Sequence, residues 1–418
     1  MPRAAAPGPR PSPTTAYSQW IDSCAAAGWR GTPAAEQVSV RDGLGRVTAG
    51  PVHALWPAPR FACAAMDGIA IKAGPADEVG GWQLAATEFA WVDTGDPMPA
   101  DLDTVVQRER VQTGANGSAH ITGPAPRGLN VRAMGEDFAA GELLIPAGHR
   151  LRPADLAAAA AAGHATLEVA RRPVAAIIPT GDEIRPIGSV LGPGDVTDTN
   201  SLLLAARAEE TGTRPLVSDV QPDHPDAITA EIARAALAAD IVLVIAGSSA
   251  GRSDHTAAVV ARAGALAVRG VAVRPGHPAL LGYVQPHRAG AGRDAMAVPV
   301  IGIPGYPLAA AVIFELFAVP MLTALQGRDP ADRVWHRAQL ACDWSSSPDA
   351  EDWVPVSLTS APEREDSVCP VVATPNRRGA GSISQLMRAH AWWPIPIGQG
   401  KFARGELIDV HPIPSAHP

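Results

Sequence analysis

Residues 241–245 read IVLVI, five apolar side chains in a row, and the chain then turns into glycine and serine. A continuous apolar run of that length predicts a strand buried on both faces, which is the habit of a parallel sheet covered by helices. Its neighbours repeat the theme. Residues 174–178 form a second apolar strand, and Thr199-Asn200 opens a helix through Glu210 that Gly212 ends. A strand over 215–220, a helix over 225–239, a strand from Pro299 and a closing amphipathic helix over 308–325 complete the alternation. Strand and helix in turn predict a doubly wound α/β domain over residues 173–329, with ligands at the carboxyl ends of its strands.

Those ends carry the chemistry. After the central strand come Gly247, Ser248, Ser249, Ala250 and Gly251, then Asp254. Glycines let the backbone approach a ligand, while hydroxyls, loop amides and the next helix N-terminus donate to an anion. Asp254 is then placed to hold a metal ion or position a water. A loop of this kind also serves as a plain βα connection. The weight falls on a second strand end, Thr180-Gly181-Asp182-Glu183, because two independent ends both bear carboxylates. A third segment, residues 271–278, brings a basic tip with Arg274, His277 and Pro278, and the turn Pro304-Gly305-Tyr306-Pro307 follows a strand.

At 418 residues the chain exceeds a single ordinary core. Short β-like segments at 69–72, 82–86, 104–107 and 118–121 predict a β-rich domain over 48–127. Two oxygen-rich turns stand out in it, Met66-Asp67-Gly68 and the stretch from Asp93 to Pro99 that contains Thr94. Asp-Gly turns are ordinary punctuation between strands, so Asp67 alone signals little. Helical spacing at 17–27 aligns Trp20, Ile21 and Cys24, and Pro153-Ala-Asp155 opens a helix that Gly163 ends. The two helices are expected to share a linking domain made of 17–47 and 128–172. From 330 to 418 short strands return, predicting a small C-terminal β-barrel.

A net charge of −8 and a pI near 5.8 argue against nucleic acid as the main partner. The four cysteines form no C-x-x-C pair and the histidines show no metal-ligand spacing, which fits a reducing compartment and no zinc site. No run of eighteen apolar residues escapes interruption by charge or proline, and residues 1–16 lack the apolar core of a signal peptide. A cytoplasmic protein with a disordered tail over 1–16 is expected, with no membrane partner. Alternation within a barrel strand favours packing over a ring-stacking platform for Trp392-Trp393, while Arg377-Arg378 beside Gly379 and Gly381 reads as a solvated turn or as the lining of an anion site. His255 reads as exposed or capping.

In this order the motifs resemble those of the molybdopterin molybdenumtransferases, the MoeA and gephyrin E-domain family. The likeness runs from about Tyr17 to Pro414. It rests on Met66-Asp67-Gly68, Thr94-Gly95, Gly135-Glu136-Asp137, Thr180-Gly181-Asp182-Glu183, Asp198-Thr199-Asn200, Asp223, the 247–254 loop, Pro275-Gly276-His277-Pro278 and Pro304-Gly305-Tyr306-Pro307. The resemblance implies a MogA-like central domain and an elongated homodimer of four-domain subunits. The active site would lie between one subunit's α/β domain and the other's β-rich domain. It implies Mg²⁺-dependent insertion of molybdate into adenylated molybdopterin with release of AMP. Asp67, Thr94, Glu183, Asp223 and Asp254 are the implied catalytic residues, with the metal on Glu183 and Asp254. Thr180, Gly181, Asp182, Gly247, Ser248, Ser249, Gly251, Arg274, His277, Pro278, Pro304 and Gly305 would bind pterin, nucleotide and oxyanion. The upstream adenylyltransferase and molybdoenzyme apoproteins are implied partners.

Some positions depart from the family pattern. Arg274 and His277 stand where the family has the lysines of K-P-G-K-P, Tyr306 replaces asparagine, Ala309 replaces a small hydroxyl residue, and Pro355 falls where an arginine is common. Arginine keeps the charge, but an ordinary imidazole is only partly charged at neutral pH. The G-S-S-A-G and P-G-Y-P versions resemble a variant subgroup. A tungstate-specific or cofactor-delivering relative, or a non-catalytic pterin-binding scaffold, would carry the same motifs.

Overall fold

The computed structural model describes residues 10–31, 34–74, 81–246, 253–285, 296–331, 334–360, 371–376, 379 and 381–414. The chain forms two compact units, Ala35–Val169 and a larger one combining Met1–Ala34 with Ala170–Pro418.

The larger unit is built on a six-stranded sheet in the order Arg214–Val217, Val174–Pro179, Ile241–Ala246, Val298–Pro304, Leu280–Val284, Gly264–Arg269. The first four strands are parallel. The last two join by antiparallel pairings, Leu280–Val284 running against all the others, so the sheet expected to be wholly parallel carries an antiparallel edge. Residues 264–269 show no alternation that would have marked them as a strand. Side chains of the central strand alternate between two cores as the pleat requires. Ile241, Leu243 and Ile245 face one core with Leu204, Ile313 and Phe317, while Val242 and Val244 face the other with Ile228, Ile232 and Val260. Burial on both faces explains the unbroken apolar run.

Helix Pro13–Ala26 begins within the stretch expected to be a tail. The Ser12 side chain accepts a hydrogen bond from the Thr15 amide at 3.3 Å, and Pro13 occupies the first turn, where its missing N–H costs nothing. Its Ala16, Trp20 and Cys24 are buried, and Trp20 Nε1 donates to the Gly282 carbonyl at 2.6 Å. The helix therefore packs on the antiparallel edge of this sheet and belongs to the larger unit, whereas helix Pro153–Ala161, expected to share a domain with it, belongs to the unit Ala35–Val169. A buried indole needs an acceptor for its N–H, and the edge strand supplies one.

Helix Pro307–Ala324 is long and apolar enough to cross a bilayer, yet two-thirds of it is buried against this core. It contains one π turn, Phe314–Ala318, just before Pro320, whose missing N–H cannot complete the α ladder. Beyond it, strands Glu351–Ser360, Val371–Pro375, His336–Leu340, Leu407–Pro412 and Ala391–Ile395 close into a barrel, the last pairing back with the first. Trp392 packs with Trp353 in the helical core and Trp393 enters the barrel core, the packing role that alternation assigned to them.

The unit Ala35–Val169 holds two three-stranded sheets. Strands Gly68–Ile71, Gly81–Leu84, Thr104–Gln107 and Ala119–Thr122 fall within two residues of their predicted positions at each end. Helix Pro153–Ala161 packs in a separate small core with Val40, Ile145 and Leu151.

Candidate active site

At the carboxyl edge of the sheet, Thr180 is buried and donates from both its amide and Oγ1 to the Ile245 carbonyl, at 3.0 and 2.9 Å. This ties the end of one predicted strand to the end of the central one. Gly181 follows with φ +146°, and a side chain there would begin 2.7 Å from Ile184 Cγ1 and 3.0 Å from Glu183 Oε2. Only glycine permits that turn. The Gly181 amide donates to the Gln221 carbonyl at 3.0 Å, and Asp182 Oδ1 accepts from the Asp223 amide at 3.1 Å. Thr180, Gly181, Asp182, Glu183 and Asp223 thus gather at one place.

A cavity of about 740 Å³ opens beside them, lined by Gly181, Asp182, Ile184, Asp198, Ser201, Leu202 and Asp219 among others. That is the size of a pocket for a cofactor-sized molecule. Sequence reasoning missed Ser201 and Asp219 as wall residues and used Asp198 only as part of a motif. Asp198 Oδ1 accepts from the Ser201 amide at 3.0 Å, so the Asp-Thr-Asn signature is partly a helix cap, and capping was the readable signal. Among the described residues, Ser201 Oγ and Asn200 Oδ1 are buried without a hydrogen-bond partner, a state that suits polar contacts from a ligand.

Asn200 Nδ2 donates to the Gly305 carbonyl at 2.7 Å, joining this helix end to the Pro304-Gly305 turn. The neighbouring turn sits on the helix that follows, Gly276 lying against Ile313. Its His277 is held below the usual imidazole range by burial first, then by the charges of Arg10 and Arg274. No hydrogen bond or ion pair among the described residues joins Arg274 or His277 to the Thr180–Glu183 turn. Pro278 is exposed beside them. Gly247, Ser248, Ser249, Gly251 and the side chain of Asp254 lie outside the described residues, as do Arg377 and Arg378, although the backbone helix Ser253–Ala263 follows the loop. His255 is exposed on that helix.

In the unit Ala35–Val169 the two oxygen-rich turns meet. Asp67 Oδ1 accepts from both the amide and Oγ1 of Thr94, each at 2.7 Å. The Thr94 hydroxyl, its amide and then the Arg108 charge hold the Asp67 carboxyl below the usual range. Arg108 is itself steadied 5.5 Å above the Trp91 ring. The result is an exposed carboxylate fixed in its charged form.

A doubly wound α/β domain whose strand ends gather carboxylates beside a cavity, followed by a small barrel, defines a multidomain α/β protein built to bind a ligand at its strand ends. Three family models match in chain order. They are the MoeA N-terminal region (domain I and II) over residues 13–163, the "Probable molybdopterin binding domain" over 176–324, and the MoeA C-terminal region (domain IV) over 337–413. A "Molybdopterin molybdenumtransferase 2" of Mycobacterium tuberculosis is 30% identical over 334 residues, covering 74% of this chain and 80% of the relative. A "Molybdopterin molybdenumtransferase" of a Nostoc species is 28% identical over 392 residues, covering 88% and 87%. The crystal structure of a molybdopterin biosynthesis MoeA protein from Pyrococcus horikoshii superposes with a TM-score of 0.78 at 28% identity, covering 96% of this chain and 98% of that one. The chain belongs to the molybdopterin molybdenumtransferase (MoeA) family.

Proposed function

We propose that this protein is the transferase that inserts molybdate into adenylated molybdopterin and releases AMP, a step of molybdenum cofactor biosynthesis. The observation that carries the reading is the contact of Asp182 with the Asp223 amide, which gathers Asp182, Glu183 and Asp223 beside a cofactor-sized cavity. The cavity would take the organic part of the substrate, with Asp198, Ser201 and Asp219 among its polar walls, and Arg274 and His277 the oxyanion. Asp67, held ionised by Thr94, is assigned to the same reaction. The relatives named above are transferases, which disfavours the tungstate-specific, delivery and scaffold alternatives.

The reading includes Mg²⁺. Among the described residues no three His, Cys, Asp or Glu side chains converge as a preformed metal site. The donors at these strand ends are nonetheless all carboxylate oxygens, the set a hard divalent cation takes, with Glu183 and Asp254 as its holders. When bound, the cation would polarise the phosphate of the leaving adenylate. A homodimer is also part of the proposal, as are the upstream adenylyltransferase and recipient apoenzymes as partners.

The test is conversion of adenylated molybdopterin by purified protein with Mg²⁺ and molybdate, scored by AMP release and by molybdenum retained. Molybdate-dependent release that is lost in Asp254→Ala and Asp223→Ala establishes the reading. Tight pterin binding with no turnover under molybdate or tungstate refutes it.

A further inference from the structure

The start of the chain reaches the basic turn. The Pro11 carbonyl accepts from the Ala272 amide at 2.8 Å, which draws the residues before helix Pro13–Ala26 along the segment that leads into strand Val273–Arg274. Arg10 follows from that pairing. Its Nε lies 3.1 Å from where a side chain at position 270 would begin, and the His277 carbonyl oxygen lies 3.2 Å from the same point. Gly270 leaves the space that Arg10 fills. The segment is closed on itself, since Gly270 donates to the Ala279 carbonyl at 2.8 Å and Val271 to the His277 carbonyl at 3.0 Å. Arg10 is therefore seated on the same turn as Arg274 and His277, although 260 and more positions separate them in sequence.

Three basic groups share this turn, and carboxylates do not neutralise them. Among the described residues neither Arg10 nor Arg274 forms an ion pair, and both are exposed. Asp352, in register with Arg274 on the adjoining strand, accepts from Ser346 Oγ at 3.0 Å. Like charges repel, so two guanidiniums beside an imidazole, with no ion-paired carboxylate among the described residues, favour an anion from outside. Two planar forks and one ring N–H offer donors from several directions, which suits a tetrahedral oxyanion.

We propose that Arg10 is a third member of the oxyanion site formed with Arg274 and His277, supplied by the chain's N-terminal arm, and that it sets the site's affinity for a small tetrahedral dianion. The proposal rests on the reading of Arg274 and His277 as the oxyanion holders. It answers the substitution of histidine for a permanent cation, because Arg10 restores a charge that does not titrate near neutral pH.

The experiment is equilibrium dialysis of the full-length protein against molybdate without pterin, at low and moderate salt, for the wild type, Arg10→Gln, Arg10→Lys, Arg274→Gln and the exposed control Arg404→Gln. Arg10→Gln is expected to weaken molybdate binding about fivefold and flatten its salt dependence, in keeping with an exposed ion pair, while Arg10→Lys keeps most of the affinity and Arg404→Gln all of it. Unchanged binding in Arg10→Gln together with loss in Arg274→Gln overturns the role of Arg10 and leaves the oxyanion reading standing. Absence of molybdate binding in the wild type overturns the proposal, and AMP release then judges the function separately.

Discussion

Replacing Glu315 by alanine tests how the site's helices are held. Helix Asn200–Glu210 begins with the residue that grips the Gly305 carbonyl, and its Arg207 reaches helix Pro307–Ala324 through a two-pronged pair with Glu315. The Nε–Oε1 separation is 2.5 Å and the Nη2–Oε2 separation 3.2 Å. The Glu315 side chain is 6% exposed and that of Arg207 is 14% exposed. Burial works against the Arg207 charge, yet Glu315 and then Glu210 more than compensate and strengthen its hold on the proton. Removing one partner of a buried pair costs ~3–5 kcal/mol, because the other charge stays desolvated. Glu210 lies 3.2 Å from Arg207 and remains as a partner in the variant. The cost of Glu315→Ala is therefore placed at about 2–4 kcal/mol. The double variant Arg207→Met with Glu315→Leu removes both charges and fills the space, and is expected within about 1 kcal/mol of wild type. Urea unfolding followed by tryptophan fluorescence measures both, since Trp20, Trp353 and Trp392 report on this core. A loss below about 1 kcal/mol in the single variant, or a double variant as unstable as the single, would refute the reasoning.

Three further outcomes follow from named contacts. Thr94→Val removes the largest influence holding down the Asp67 carboxyl, so its titration should rise toward the ordinary range and the acid limb of turnover should move to higher pH; a carboxyl NMR titration that does not move sinks the assignment. Asp155 is held well below the carboxylate range first by the Arg152 guanidinium, then by its amide and by His149. A depressed folded value means the stabilisation is fully present above the unfolded value of about 3.9 and is lost as pH falls through the folded one. Asp155→Asn should therefore cost about 1–2 kcal/mol at pH 7, a deficit that narrows in acid, as thermal melts at pH 7 and pH 3 would reveal. Arg10→Gln should let the His277 titration climb toward its ordinary value, read from its imidazole NMR signals, and a fall would contradict the stated cause.

What could be read beforehand was whatever leaves a local trace. The pleat demands apolar residues on both sides of a doubly covered strand, so residues 241–245 declared their place without reference to anything distant. Turn chemistry did the same for Thr180-Gly181-Asp182-Glu183, because φ +146° admits little but glycine. Contacts across the chain leave no such trace. Trp20 meets Gly282 across 262 positions, and an apolar stripe on a helix says that something covers it without saying what. Hence the helical spacing at 17–27 does not reveal that helix Pro13–Ala26 packs on strand Leu280–Val284, nor that the helix begins inside residues 1–16. The meeting of Asp67 with Thr94 was likewise invisible, since each turn alone is common punctuation.

Partner status separates the structural arginines from the functional ones in a chain whose only lysines are Lys72 and Lys401. Composition hides this, because arginine serves both purposes. Arg152, Arg171, Arg185 and Arg207 each face a carboxylate at 2.5–2.9 Å, Arg152 within its own helix start and Arg207 across to the helix over 307–324. Arg10 and Arg274 share one turn and face no carboxylate in an ion pair among the described residues. Holding charges of one sign together without compensation works against folding, so such a cluster persists where a bound anion supplies the compensation. The strand ends differ, because Glu183 and Asp223 have partners within the chain, and with Asp182 they gather beside the cavity as oxygen donors. Acidic side chains gather at one strand end and basic ones at the 274–278 turn, so each cluster selects a charge that the other repels.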